Sequence, residues 1–117
     1  MPFSTSKDLH ILQTDSWGTF KALYGWEPVR VQGESESVLV LFKRLPLGLS
    51  IAYVPKVSVG EEWKTLLPRI EAECKKRKSV FLQIEPDINE PYDIIALDRL
   101  FPNYIIDSDT IQPRGTI

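Results

Sequence analysis

The sequence has very little of the side-chain chemistry on which most active sites depend. It contains one cysteine, Cys74, and one histidine, His10. A single cysteine excludes an internal disulfide and a multi-cysteine zinc site, and a lone histidine cannot form a metal cluster. We expect Cys74 to be a small core residue and His10 to be structural or solvated. The sequence therefore predicts no metal site.

Long apolar runs and glycine-rich phosphate loops are also missing. No stretch approaches the roughly 20 apolar residues that cross a bilayer, and residues 1–13 lack the apolar core of a signal peptide. We therefore expect a cytoplasmic protein without a transmembrane segment. The 6 glycines form neither a Gly-x-Gly-x-x-Gly pattern nor a Walker motif, which leaves a dinucleotide site unsupported. No nucleophile elbow accompanies His10, so a Ser/His/Asp triad is not indicated.

The charge balance is slightly acidic, with a formal net charge of −2. This argues against a nonspecific polyanion binder, which normally carries a clustered basic face. The densest basic run is Lys-Lys-Arg-Lys at residues 75–78. The favoured interpretation is that these cations complement the dipole at a helix C-terminus, and the alternative is contact with a phosphate.

Hydrophobic periodicity divides the 117 residues into alternating strands and helices. The strongest helix signal is an apolar stripe within residues 60–78, made up of Trp63, Leu66, Leu67, Ile70 and Cys74. Pro68 interrupts this stripe, which predicts a kink or two helices with Pro68 opening the second. The other predicted elements are strands at 8–13, 27–32, 37–45, 49–55, 79–86 and 103–113 and helices at 14–25 and 92–101.

These elements predict an α+β domain with a mixed β-sheet flanked by helices. The Leu-Pro-Leu-Gly segment at 45–48 has the residues of a turn, so its two flanking strands should form an antiparallel hairpin. The later strand–helix–strand units imply parallel pairing with right-handed crossovers. The chain shows no internal repeat, low-complexity tract or domain linker.

Four side chains are candidates for a site. Lys21 lies among helical aromatic residues, where it can snorkel over their rings or act as a charge for a phosphate. Glu85 ends an apolar strand, where it can meet a ligand or cap the following loop. Tyr53 and Lys56 end another strand near the same crevice, and Tyr53 can serve either as core or rim packing, which is favoured, or as a ligand contact.

The last residues, Thr110–Ile117, alternate β-branched and polar side chains as if a strand were beginning. Either this strand closes a sheet, or the sequence is part of a longer chain. An unpaired edge strand at 110–117 could associate with another chain.

Several segments, taken in order, resemble the Fem family, the aminoacyl-tRNA-dependent transferases that build peptidoglycan cross-bridges. The resemblance spans residues 12–117 and rests on LQTDSWGTFKALYGWEPVRV, LPLGLSIAYVPK, FLQIEP and TIQPRGTI. It implies two domains similar to acyl-CoA N-acyltransferases around a cleft, in a chain roughly three times as long. We therefore expect these residues to be an incomplete N-terminal acyltransferase-like domain, inactive alone, whose parent uses aminoacyl-tRNA as a co-substrate and no cofactor.

The resemblance also implies roles for the candidate residues. Lys21 matches a lysine that contacts the diphosphate of a nucleotide- or lipid-linked muramyl peptide, with Tyr53 and Lys56 nearby on the substrate side. Glu85 matches an acidic position proposed to take a proton from the attacking amine. The chain departs from the family at Pro55–Ser58, where relatives often have Pro-x-Gly-Pro.

Two other functions remain open from the sequence. One is a non-catalytic acyltransferase-like module that binds a partner or peptide. The other is a small-molecule N-acyltransferase that uses an acyl-CoA. The second ranks last because only Gly60 follows the 49–55 strand, without the glycine-rich loop that holds a pyrophosphate.

Overall fold

The computed structural model describes residues 13–87, 99–106 and 110–114 of the chain. Most of these residues belong to one mixed sheet and to two helices. In chain order the elements are α1 (Asp15–Ala22), β1 (Trp26–Gln32), β2 (Ser37–Arg44), a 3-10 turn (Pro46–Gly48), β3 (Ser50–Val57), α2 (Trp63–Lys76), β4 (Ser79–Pro86), β5 (Tyr104–Ile106) and β6 (Ile111–Pro113). Neither helix is long and apolar enough to span a membrane.

The sheet has the strand order β1-β2-β3-β4-β6-β5. Strands β1, β2 and β3 are antiparallel neighbours, joined by short turns. Strand β4 pairs parallel with β3 because α2 carries the chain back to the same end of the sheet. The predicted mixed α+β architecture, including the hairpin of β2 and β3, is therefore confirmed.

One face of the sheet forms the hydrophobic core with α2. The predicted stripe of this helix is buried, with Trp63, Ile70 and Cys74 completely inaccessible to solvent. These side chains pack on alternate residues of the strands, such as Val54 and Ile84. The prediction of Cys74 as a core residue is confirmed.

Helix α2 is continuous through Pro68, so the alternative of two separate helices is wrong. The proline is exposed to solvent and is not one of the buried residues of the helix. It removes one backbone donor, but the buried stripe on the opposite side holds the helix together.

The C-terminal part of the sheet differs from the prediction. The single strand predicted at 103–113 is instead two three-residue strands, β5 and β6, which pair antiparallel. Strand β6 is also antiparallel to β4, where a parallel pair was expected. Because β6 lies between β4 and β5, Ile111–Pro113 is not an edge strand, and residues 115–117 lie outside the described part.

Two other predictions fall largely outside the described residues. These are the strand at 8–13, of which only Gln13 is described, and the helix at 92–101, of which Arg99 and Leu100 are helical. His10 also lies outside.

Helix α1 covers part of the opposite face of the sheet. Thr14 caps its N-terminus by accepting the backbone N–H of Trp17, and Gly25 follows its end with a positive φ of 88°. Gly18 lets the helix approach the sheet closely, since a Cβ there would lie 3.1 Å from the Cβ of Pro28. Because α1 packs on β1 and β2, it leaves the same face of β3 and β4 available for a site.

Gln13 closes a gap between two central strands. The ladder of β2 and β3 ends at the Leu41–Tyr53 pair, and Pro55 has no N–H with which to continue it. The buried Gln13 amide donates to the carbonyls of Leu39 and Pro55 and accepts the N–H of Leu39. This side chain therefore replaces the missing rung.

Candidate functional site

The candidate residues lie on the face of the sheet that carries α1. Trp26 is opposite Lys43 in the β1–β2 ladder, and Tyr53 is opposite Gln83 in the β3–β4 ladder. Their sequence neighbours point to the α2 core instead, because side chains alternate along a strand. Glu85, two residues after Gln83, returns to the site face.

Lys21 projects from α1 over two tryptophans. Its Nζ is 5.7 Å from the centre of the Trp17 ring and 5.2 Å from that of Trp26. The lysine stem lies along aromatic surface while the ammonium remains half-exposed. This geometry matches the snorkelling interpretation, and it leaves the ammonium able to meet an anion.

Lys43 approaches the same ring from β2. Its Nζ is 5.4 Å from the centre of the Trp26 ring, so two cations share one indole. Two ammonium groups at one aromatic side chain favour an anion more strongly than one would. Sequence reasoning singled out neither Trp26 nor Lys43.

Tyr53, Glu85 and Lys56 form a polar cluster further along β3 and β4. The Tyr53 hydroxyl donates to Glu85 Oε1 at 2.5 Å, and Lys56 Nζ lies 3.7 Å from the same oxygen. Burial raises the pKa of the Tyr53 phenol well above its usual value, and the bond to Glu85 raises it further. Tyr53 therefore remains a neutral phenol, which donates its hydroxyl proton to the hydrogen bond with Glu85.

A bulge in β3 brings Lys56 to this cluster. The β3–β4 register shifts between Val54 and Val57, and Lys56 has a positive φ of 34°. A non-glycine residue with positive φ is uncommon and is often found at functional sites. The extra residue turns Lys56 toward Glu85, where regular alternation along β3 would place it on the opposite face from Tyr53.

The two groups are joined through aromatic rings. The Trp26 and Tyr53 ring centres are 6.5 Å apart, so Lys21 contacts Trp26, Trp26 contacts Tyr53, and Tyr53 bonds Glu85. We call Lys21, Trp26, Tyr53, Glu85 and Lys56 the site row. The structure brings all of the sequence-predicted candidates together in it, on one surface.

The site row has no feature of a metal centre. Within the described residues, no three histidine, cysteine, aspartate or glutamate side chains are grouped as ligands. Glu85 is a single carboxylate, already engaged by Tyr53 and Lys56. What the row offers chemically is a cationic and aromatic end beside Lys21 and a carboxylate end at Glu85.

Comparison of the chain with known protein families, with curated proteins and with solved structures gives no match. What the chain does must follow from its own residues.

Proposed function

We propose that this chain provides the acceptor side of an aminoacyltransferase of cell-wall synthesis, with the acyltransferase-like fold that the Fem resemblance implies. The acceptor is the peptide of a nucleotide- or lipid-linked muramyl precursor, and the donor is an aminoacyl-tRNA. The observation that carries the proposal is the site row. Residues that the resemblance selects from distant segments lie on one surface: Tyr53, Lys56 and Glu85 contact one another, and Lys21 is linked to them through Trp26.

The cationic end of the row suits a diphosphate. Lys21 and Lys43 hold two ammonium groups at the Trp26 ring, and an ammonium is a compact charge that adapts to phosphate oxygens. A diphosphate bound there would anchor the precursor and orient its peptide along the sheet. The Trp26 indole offers a flat apolar surface for the part of the ligand next to the phosphates.

The carboxylate end suits the reacting amine. An amine must lose a proton before it attacks the aminoacyl ester, and the ionised Glu85 can accept that proton. Tyr53 donates to Glu85 and Lys56 lies beside it, so both hold the carboxylate in place. As the amide forms, the ester bond to the tRNA ribose breaks, and the proton accepted by Glu85 can pass to the ribose oxygen that leaves.

The proposal is tested by measuring the affinity for a nucleotide-linked muramyl peptide with isothermal titration calorimetry. Lys21→Met keeps an apolar stem over the tryptophans and removes the charge, and we expect it to weaken binding about tenfold or more. Glu85→Gln keeps an acceptor for Tyr53, so we expect near-normal binding by this chain and loss of aminoacyl transfer when the change is made in the longer parent chain. Lys64→Met, an exposed change on α2, is the matched control.

The outcome against the proposal is equally definite. If Lys21→Met binds the precursor as tightly as the wild-type protein, Lys21 has no role at the diphosphate. If Glu85→Gln transfers amino acids at the wild-type rate, Glu85 is not the proton acceptor.

A second candidate is a non-catalytic module that binds another chain. The observation in its favour is the exposed apolar surface beside the row, where Phe81 is 40% and Ile105 49% accessible. By their register both residues lie on the Glu85 face of the sheet. Under this alternative Glu85→Gln would alter nothing but local stability, which separates it from the transferase.

A further inference from the structure

A groove lies on the other face of the sheet, between the start of β1, the β2–β3 turn and the C-terminal end of α2. Its volume is about 510 Å³, within the range of small-molecule sites. Its charged lining residues are Glu27, Arg44, Lys76, Arg77 and Lys78. The groove thus carries a net of three positive charges in a chain whose net charge is −2.

Arg77 forms the floor of this groove and is fully occupied. Its guanidinium bonds the carboxylates of Glu27 and Glu73 and lies 4.7 Å from the centre of the Phe42 ring. Glu73 also pairs with Lys76 at 3.2 Å. Arg77 and Lys76 are therefore paired with the two carboxylates. The charge of Arg44 helps to lower the pKa of Glu27, but neither Arg44 nor Lys78 forms an ion pair with any described residue.

Capping of the C-terminus of α2 does not explain the presence of Arg44 and Lys78. The Arg77 N–H bonds the carbonyls of Glu73 and Cys74, and Ser50 donates its hydroxyl to the carbonyl of Arg77 and its N–H to that of Lys78. These carbonyls at the end of α2 therefore have donors without the lysine ammonium groups. Lys75 and Lys76 lie in the last turn of α2, where they complement the helix dipole as expected, whereas Arg44 and Lys78 lie outside the helix.

Lys78 occupies a position where glycine is usual. It follows the end of α2 with a positive φ of 51°, the left-handed conformation that helix C-termini commonly adopt. A side chain there costs roughly 1–2 kcal/mol relative to the right-handed conformation. The lysine provides a charge to the groove that glycine would not.

We propose that this groove binds a small ligand carrying two or more phosphate groups. Arg44 can form paired hydrogen bonds with phosphate oxygens, and Lys78 can follow them as a mobile charge. The bounded volume and the acidic chain as a whole favour a small ligand over a polynucleotide, which needs an extended basic face. The site is independent of the proposed transferase function, because it shares no residue with the site row.

This site is tested by titrating the protein with inorganic pyrophosphate at low salt. Calorimetry measures the affinity, and the changes in amide NMR chemical shifts locate the binding site. We expect Arg44→Gln and Lys78→Gly each to weaken binding about fivefold or more. Lys78→Gly also removes the positive-φ strain, so a folding defect does not confuse its result. Lys75→Gln is the matched control, because it changes the same charge in the same run outside the groove, and we expect less than about a twofold effect.

Three results would overturn the proposal. The first is no saturable binding of pyrophosphate at millimolar concentration. The second is an equal loss of affinity in Lys75→Gln and Lys78→Gly, which would indicate general charge attraction. The third is a single-stranded RNA oligonucleotide that displaces pyrophosphate and binds more tightly, which would make the groove part of a nucleic-acid surface.

Discussion

The Glu62 carboxylate ties the residue before α2 to the turn between β1 and β2. It accepts hydrogen bonds from the Ser35 hydroxyl at 2.6 Å, the Ser35 N–H at 2.7 Å and the Glu36 N–H at 2.8 Å. These donors lower the pKa of Glu62 from 4.5 to about 2, and the Ser35 hydroxyl contributes most. The charged form is thus the one that stabilises the fold.

The lowered pKa of Glu62 makes its contribution to stability depend on pH in a defined direction. Because the folded pKa lies below the unfolded one, the contribution of Glu62 is complete above about pH 4.5 and is lost as the pH falls toward 2. We expect Glu62→Gln to lower the midpoint of urea unfolding at pH 7. The difference in midpoint between this variant and the wild-type protein should be smaller at pH 3. The control is Glu61→Gln, which removes an exposed ion pair with Lys64 and should change the midpoint only slightly at pH 7. A Glu62→Gln gap as large at pH 3 as at pH 7 would contradict this role.

Residue types predicted some individual positions and could not predict others. Cys74 and the apolar stripe were evident from spacing, because burial follows helical periodicity. Gln13 gave no signal, since a polar residue next to a helix cap normally faces water. Its burial depends on the missing N–H of Pro55, 42 residues away, and such tertiary pairing is not a local pattern.

At the level of elements, long periodic segments were predicted well and short ones poorly. Strands β1 to β4 have seven or eight residues each, whereas β5 and β6 have three. Three residues are too few to establish an alternation, so the two were merged into one predicted strand. The direction of β6 was also wrong, because parallel pairing was inferred from an assumed crossover.

The contacts within the candidate site depend on the register of the strands, which cannot be derived from the sequence. Lys21 and Glu85 were selected by residue type and by resemblance, but their connection runs through Trp26 and Tyr53. Trp26 lies opposite Lys43 because the tight turn closed by the Gly33–Glu36 hydrogen bond fixes the β1–β2 ladder. Lys56 joins the site row through a bulge that alternation would not predict.

Helix α2 offers a test of element stability at Pro68. The proline leaves the carbonyl one turn earlier without its helical donor, and its ring is exposed. We expect Pro68→Ala to raise the free energy of unfolding by about 2 kcal/mol, somewhat less than the ~3 kcal/mol helix penalty of proline, because proline also restricts the unfolded chain. Urea denaturation followed by circular dichroism measures the change.

The matched control for this helix is Lys75→Ala, an exposed change without a proline. It should stay within about 0.5 kcal/mol of the wild type. Equal stability of Pro68→Ala and the wild-type protein would mean that the helix already accommodates the proline at no cost.

For the whole molecule, Cys74 reports whether the core opens as one unit. The thiol is inaccessible in a cluster that includes residues of β2, β3, β4 and β6 as well as α2. Burial also raises its pKa to about 11, so little reactive thiolate forms near neutral pH. Reaction therefore requires separation of α2 from the sheet.

We expect negligible reaction of Cys74 with Ellman's reagent in native buffer at pH 8, and a rate that rises with urea in step with the loss of secondary structure. The variant Thr19→Cys with Cys74→Ala places the thiol on the exposed side of α1 and should react at once, which verifies the reagent. A wild-type rate that is independent of urea below the unfolding transition would show that α2 detaches locally. In that case the helix and the sheet would not form one cooperative core, and the groove, which α2 and the sheet line together, would open while the site row on the other face remained.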